Sequence, residues 1–294
     1  MPSVSLKCEL ADLLEMLDLR PGHRLLEINP QDAAGVVEFG RFVDPSGAVV
    51  SLPAGKLGSA PAVRYDRLVA WSAPSSLPGE WVAHVAPGGL AVVPVLLAPL
   101  AMAEAVARIR LDPDGRPEVT DLSTTPLFTR AAPGEPPERF VDGAVLRPDG
   151  RWWWISAEWL HGRDHGVAVD LLDLLLHRPR RRPSPIGAGR DTAHLVGYLL
   201  ARRPDGMLTA GLGDLPAGIG CALPGSLAVL AGDSLVSGGT PEALDGLLDW
   251  ITEWRSAGRP ALTDLWPRLT PRRDTWELEF GMPELPTQVP SPFA

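Results

Sequence analysis

Short apolar runs separated by polar turns open the chain. Leu10, Leu13, Leu14 and Leu17 recur at helical spacing through Glu9–Leu19, and Pro21-Gly22 stops that helix. Arg24–Ile28 reads as a buried strand, followed by the loop Asn-Pro-Gln-Asp-Ala-Ala-Gly. A helix over about Ala34–Phe42, a Pro-Ser-Gly turn and a strand at Ala48–Leu52 complete the pattern. This order predicts the start of a parallel α/β sheet, in which the loop after the first strand is the usual ligand-holding position.

Further on, Pro53–Arg64 is Gly-, Ala-, Pro- and Ser-rich and carries little pattern. Tyr65–Ser72 reads as a buried strand, Leu77–Val85 as a short helix, Pro87-Gly88-Gly89 as a turn and Leu90–Val95 as an apolar strand. Two hairpins follow: Val106–Leu111 with Pro117–Leu122, and Ala144–Arg147 with Trp152–Ser156. In each, Asp-Gly sits between alternating runs, where glycine accepts the positive φ of the turn. Thr129–Arg139, rich in Pro, Ala, Glu and Gly, marks a boundary. Beyond it, Gly166–His177 is an apolar strand or helix, Arg178–Pro185 a basic linker and Thr192–Arg203 a helix. Asp205–Gly220 reads as a glycine-rich loop, with short strands at Gly218–Leu223 and Leu227–Leu230. The clearest helix runs from Pro241 to Ala257, with Thr240 as its N-cap and a stripe of Leu244, Leu247, Leu248, Ile251 and Trp254. Trp276–Phe280 suggests a last strand, and the proline-rich tail Gly281–Ala294 is expected to be mobile.

Composition narrows the function classes. A chain of 294 residues with 45% hydrophobic content suits two domains with sizeable cores. The net charge of −9 argues against a general nucleic-acid binder or an anionic membrane-surface protein. Lys7 and Lys56 are the only lysines, so nearly all positive charge is arginine, which points to a GC-rich genome. Cys8 and Cys221 form neither a disulfide framework nor a ligand pair, as expected in a reducing cytoplasm. The N-terminus has no signal-peptide pattern, and runs such as Leu90–Ala103 are too short and proline-broken to span a bilayer. A soluble, cytoplasmic protein is the expectation.

Three runs carry a family resemblance: LLEMLDLRPGHRLLEI, then RFVDPSGAVVSL, then YDRLVAWSAPSSLPGEWVAHVAPGGLAVVPV. Over Leu13–Phe128 the chain resembles the protein-L-isoaspartate O-methyltransferase family of S-adenosylmethionine-dependent enzymes. Tyr65-Asp66-Arg67, Pro78, Trp81 and Pro87-Gly88-Gly89 follow its pattern in order and spacing, and the hairpin ending at Pro126-Leu127-Phe128 is similar to its final strand pair. The resemblance implies a shortened Rossmann-like methyltransferase sheet over 1–130, of the bacterial, class I type. A second α+β domain follows over 131–280, whose run from Leu195-Val196-Gly197-Tyr198-Leu199-Leu200 to Trp254-Arg255-Ser256-Ala257-Gly258-Arg259-Pro260 is similar to a C-terminal extension on actinobacterial relatives, then the tail 281–294.

The same resemblance implies where a cofactor would sit, and the chain departs from the pattern there. The family's Gly-x-Gly-x-Gly falls on Asn29, Gln31 and Ala33, none of them glycine, and Pro30 removes a backbone donor. The acid that holds the ribose hydroxyls is replaced by Pro53, while Glu27 in the first strand is retained. Pro53–Arg64 is too short for the family's helix, strand and adenine-side loop. Glu27, Asn29, Gln31 and Ala33 are therefore expected to be a vestigial cofactor site, with no catalytic residue. The leading expectation is a non-catalytic pseudoenzyme that binds a peptide or protein, an active homologue or a second copy of itself among the candidates. The alternative is an active carboxyl O-methyltransferase with a rebuilt S-adenosylmethionine site.

Two other groups of residues offer chemistry. Glu158, His161 and His165 would share a helical face as metal ligands can, although Gly162 and Gly166 weaken a helix there and the group reads equally as a polar loop. Trp152, Trp153 and Trp154, with Trp159 nearby, alternate across a strand; one face suits core packing and the other an interface. The arginines of 178–182 read as a solvated connector.

Overall fold

The structure is a computed structural model and describes residues 12–30, 33–44, 46–124, 136–137, 139–177, 179–187 and 189–281, with backbone alone for 33–37. The chain forms two compact units. The first comprises 1–98, 103–130 and 267–279, and the second 99–102, 131–266 and 280–294. It is a mixed α/β protein, with one sheet that contains parallel strands and one that is antiparallel.

In the first unit, a helix α1 through residues 12–17 buries Leu13 and Leu17. Its carbonyl end is held by two arginines from the sheet. Arg108 Nε donates to the Met16 carbonyl at 2.7 Å, and the buried Arg67 reaches the Leu17 and Asp18 carbonyls. Cations at this end of a helix satisfy carbonyls that have no intrahelical partner. Strand β1 (Arg24–Ile28) has four of its five residues buried. Helix α2 (Ala33–Val43) leads to β2 (Ala48–Leu52), and a 3₁₀ turn (Ala54–Ser59) anchored by buried Leu57 leads to β3 (Tyr65–Ala70). The two-residue β4 (Leu77–Pro78) precedes α3 (Gly79–His84), and β5 (Val85–Leu96) continues into the hairpin β6 (Glu104–Leu111) and β7 (Pro117–Ser123).

The sheet order is β2-β1-β3-β5-β6-β7, parallel from β2 to β5 and antiparallel beyond. Pro87-Gly88-Gly89, expected as a turn, lies inside β5, where Gly88 takes φ +76° and the register against β3 slips between Tyr65 and Arg67. This is a bulge, and it lets β5 start five residues early.

The second unit is built on β8 (Gly143–Leu146) and β9 (Trp152–Ala157), then α4 (His165–His177), β10 (Arg180–Pro183) and α5 (Arg190–Arg202). A meander of β11 (Met207–Leu212), β12 (Gly218–Leu223), β13 (Ser226–Ala231) and β14 (Ser234–Gly239) follows, then α6 (Glu242–Ser256). The order is β10-β14-β13-β12-β11-β9-β8, antiparallel throughout. Leu171, Leu172 and Leu175 of α4 pack on Trp153, Ile155, Leu208, Val229 and Val236. Leu244, Leu247, Ile251 and Trp254 of α6 are buried. The α6 cap position is Pro241 in place of Thr240. Arg178–Pro185, expected as a linker, contains β10, and the expected loop Asp205–Gly220 contains β11.

The chain then returns to the first unit. The hairpin β15 (Pro267–Arg272) and β16 (Thr275–Phe280) forms a small sheet with β4, pairing Thr275 with Pro78 and Trp276 with Leu77. Residues 267–279 thus belong with the first unit. The proline-rich tail beyond 281 lies outside the described residues. Among those described, no helix is long and apolar enough to cross a membrane.

Candidate functional site

In the first sheet β2 and β3 flank β1, so strand order reverses at β1. A crevice in such a fold opens beyond the carboxyl ends of the strands at that reversal. In this chain those ends carry Glu27, Asn29, Ser51, Trp71 and Ser72.

Glu27 is 1% exposed. Its Oε1 accepts a hydrogen bond from Trp71 Nε1 at 2.8 Å, and its Oε2 accepts one from the Ser51 hydroxyl. The β1 register explains both contacts. Glu27 pairs directly with Ser51 on β2, and on its other side with Val69, two residues before Trp71. A carboxylate this buried needs such donors, because an unpartnered charge in an apolar sheet is costly.

Asn29 stands at the exit of β1 with φ +53°, a left-handed conformation that asparagine tolerates. Its backbone N–H donates to the Leu52 carbonyl at 2.9 Å. Its side-chain Nδ2 donates to Ser72 Oγ at 2.7 Å, and its Oδ1 accepts from the Ala54 N–H at 2.7 Å. The Trp71 N–H adds a bond to the Ile28 carbonyl at 3.1 Å. One short residue therefore ties together the ends of β1, β2 and β3. The Ala54 bond follows from Pro53, which takes φ −60° and ψ 144° and starts the 3₁₀ turn. Of the other expected cofactor residues, Gln31 lies outside the described residues and Ala33 opens α2.

An open cavity of about 520 Å³ lies elsewhere in this unit, lined by Pro78, Glu80, Arg273, Asp274 and Trp276 beside the β15–β16 turn. It shares no residue with the Glu27 and Asn29 cluster.

The metal candidates do not converge. Glu158 lies in a 3₁₀ turn and Gly162 takes φ +75°, so the helix on which the three residues would align starts only at His165. Glu158 is engaged by Arg203 through both oxygens, at 2.8 and 3.0 Å. His161 Nε2 stands 3.6 Å from Asp142 Oδ2 and its ring stacks on Phe140, whereas His165 Nδ1 lies 2.9 Å from the Asp142 carbonyl oxygen. Burial pushes the Asp142 carboxyl above its ordinary range, opposed by the Ala157 N–H it accepts at 2.8 Å and by His161. Among the described residues no group of three or more His, Cys, Asp or Glu is placed to hold a metal ion.

The tryptophan surface also differs from expectation. Trp153 is 4% and Trp154 3% exposed, while Trp152 and Trp159 are half-buried. Neither face of β9 leaves a free tryptophan at the two central positions. Trp153 joins the α4 core, and the Trp154 ring fills the space over Gly211, where a Cβ would come within 2.1 Å of its Nε1. Cys221 is buried, which pushes its thiol up to about 11 and leaves it a poor nucleophile.

Ser51, Trp71 and Ser72 were not singled out by sequence reasoning. The available signal was Trp71 itself, an indole N–H at the end of a buried strand, which needs an acceptor when it packs inward.

No known family profile matches the chain, and no curated protein matches it. The chain is similar in structure to protein-L-isoaspartate O-methyltransferases, at low sequence identity. One, from Plasmodium falciparum, is described as a beta-aspartate methyltransferase in complex with S-adenosyl-L-homocysteine. It is 13% identical over 39% of this chain and 68% of its own, with a TM-score of 0.30. Another, described as a protein-L-isoaspartate O-methyltransferase, is 15% identical over 93% of this chain and 80% of its own, with a TM-score of 0.32. Likeness of this degree speaks to neither cofactor nor substrate.

Proposed function

We propose that this chain is a non-catalytic, isoaspartate-methyltransferase-like protein that acts by binding a peptide or protein. The observation that carries the proposal is the inward commitment of Glu27 and Asn29. Both Glu27 oxygens accept hydrogen bonds from Trp71 and Ser51, and Asn29 spends both ends of its amide on Ser72 and Ala54. A cofactor held at the end of β1 needs backbone that comes close to it and an acid free to accept its hydroxyls. Here the first-strand loop begins Asn-Pro, and the position after β2 is Pro53. These residues do not fit S-adenosylmethionine.

Isothermal titration of the full chain with S-adenosylmethionine and S-adenosylhomocysteine tests the reading. The expected result is no heat of binding at millimolar ligand. Micromolar binding would overturn it in favour of an active methyltransferase with a rebuilt site.

A further inference from the structure

One edge strand of the second sheet is β10, the sequence Arg180-Arg181-Arg182-Pro183, and all four residues are exposed. It pairs on one side with β14, through Arg180↔Ser237, Arg181↔Val236, Arg182↔Leu235 and Pro183↔Ser234. Just past the strand, the Ser184 N–H donates to the Asp233 carbonyl at 2.7 Å. Antiparallel pairs alternate between hydrogen-bonded and non-bonded. Counting back from Ser184, Arg182 and Arg180 direct their backbone groups to β14. Arg181 and the two prolines, Pro183 and Pro179, direct theirs outward.

The two prolines supply no N–H, so the outward edge offers a single backbone donor, that of Arg181, beside its own carbonyl. An edge like this cannot template a long foreign strand, which is how many sheets avoid aggregation. The prolines and the short length already serve that end, and three adjacent guanidiniums exceed it. Nothing on β14, Ser234–Gly239, is acidic, so the neighbouring strand does not neutralise them. Among the described residues the side chains of Arg181 and Arg182 have no hydrogen bond or ion pair, and Arg180 has one long bond, to the Gly239 carbonyl at 3.4 Å.

We propose that this edge docks an extended acidic segment of a partner protein with carboxylates at alternate positions, Glu-x-Glu. The middle residue pairs with the Arg181 backbone, which sets the register. Its two neighbours then stand opposite Arg180 and Arg182, whose side chains share one face about 6.6 Å apart. The chain contains the same chemistry in its first unit: Arg272 on β15 takes Glu277 at 2.8 Å and Glu279 at 3.0 Å, two alternate residues of the facing strand. A second copy of β10 is the wrong occupant, because antiparallel self-pairing sets arginine against arginine. A nucleic acid fits less well, since a long polyanion would run past four residues onto a protein of net charge −9. The inference is independent of the cofactor question, because a chain that bound S-adenosylmethionine would present the same edge.

The test uses the full-length protein and a fluorescein-labelled peptide with glutamate at every second position, threonine and valine between. Controls are its glutamine counterpart and a single-stranded oligonucleotide of equal charge, all read by fluorescence anisotropy at low and high salt. The glutamate peptide should bind at least tenfold tighter than the glutamine one. The double substitution Arg180→Glu/Arg182→Glu should weaken it tenfold or more, and Arg181→Glu, on the other face, by less. All three side chains are exposed, so thermal midpoints should stay at the parent value, and Arg180→Lys/Arg182→Lys should retain part of the affinity. Binding unchanged by the double substitution, equal binding of the oligonucleotide, or no binding of the glutamate peptide would each overturn the proposal.

Discussion

Replacing Trp71 by Phe probes the Glu27 cluster directly. The substitution keeps an aromatic ring against the Leu13, Leu17, Leu25, Phe39 and Val69 core but deletes the indole N–H that Glu27 Oε1 accepts at 2.8 Å. Glu27 is 1% exposed, so water does not readily replace the lost donor. A hydrogen bond to a buried charged group contributes about 1.5–3 kcal/mol, and leaving the acceptor unsatisfied falls toward the upper end. The expected loss is about 2–3 kcal/mol, or roughly 4–10 °C in the thermal midpoint for a domain of this size. Glu27→Gln should cost less, about 1 kcal/mol, because the amide can still accept from Trp71 while donating to the Ser51 hydroxyl oxygen. The two changes share one contact, so together they should cost at least about 0.5 kcal/mol less than their sum. Calorimetric unfolding of the parent, both single variants and the double variant measures this, with hydrogen exchange at the β1 amides to assign the transition to the first unit. If Trp71→Phe lies within about 0.5 kcal/mol of the parent, or if the double variant is additive, Glu27 is not held as described.

Two further expectations concern the second unit. The Asp142 carboxyl is raised by burial, so its contribution to stability is complete below the ordinary carboxylate value and is lost as pH climbs through the raised folded value. Asp142→Asn is neutral and can still accept the Ala157 N–H, so its thermal midpoint should gain on the parent between pH 3 and pH 7; a flat or falling difference would contradict this. Gly220→Ala should destabilise by about 3 kcal/mol, since a Cβ there would stand 2.0 Å from the Ala228 carbonyl oxygen in the paired strand β13; a denaturant midpoint equal to the parent's would refute that close approach.

Where the pattern was local, the sequence was legible. Arg24–Ile28 and Ala48–Leu52 are apolar runs bounded by Pro-Gly and Pro-Ser-Gly, and their limits match the strands. The two Asp-Gly hairpins were legible for the same reason. What stayed hidden depends on distant partners. Met207–Leu212 carries glycine at 211 because the Trp154 ring occupies that space, while the glycine-rich run Asp205–Gly220 around it has the pattern of a loop. Arg180–Pro183 becomes a strand through β14, more than fifty residues away, and its one proline, Pro183, fits because its backbone nitrogen faces outward. Leu77-Pro78 looked like the start of a helix, yet it pairs with Thr275 and Trp276 near the end of the chain.

The candidate site divides in the same way. Its place, at the carboxyl end of β1, follows from the strand–helix–strand pattern alone. Its chemistry does not, because a glutamate in a first strand reads identically whether it faces a ligand or serves as an internal strut. The deciding factor is what the flanking strands bring to it. In this chain the register of β1 with β2 sets Ser51 beside Glu27, and the register with β3 brings up Trp71. Asn29 adds a second lock at the strand exit. A glycine in its place would free the loop and remove two hydrogen bonds at once, the one to Ser72 and the one from Ala54. The residue that stands at the exit of β1 is thus the one that joins three strand ends. The residue that sets the left-handed turn after β1 also makes these internal bonds, and a loop held in this way supports the non-catalytic role proposed above.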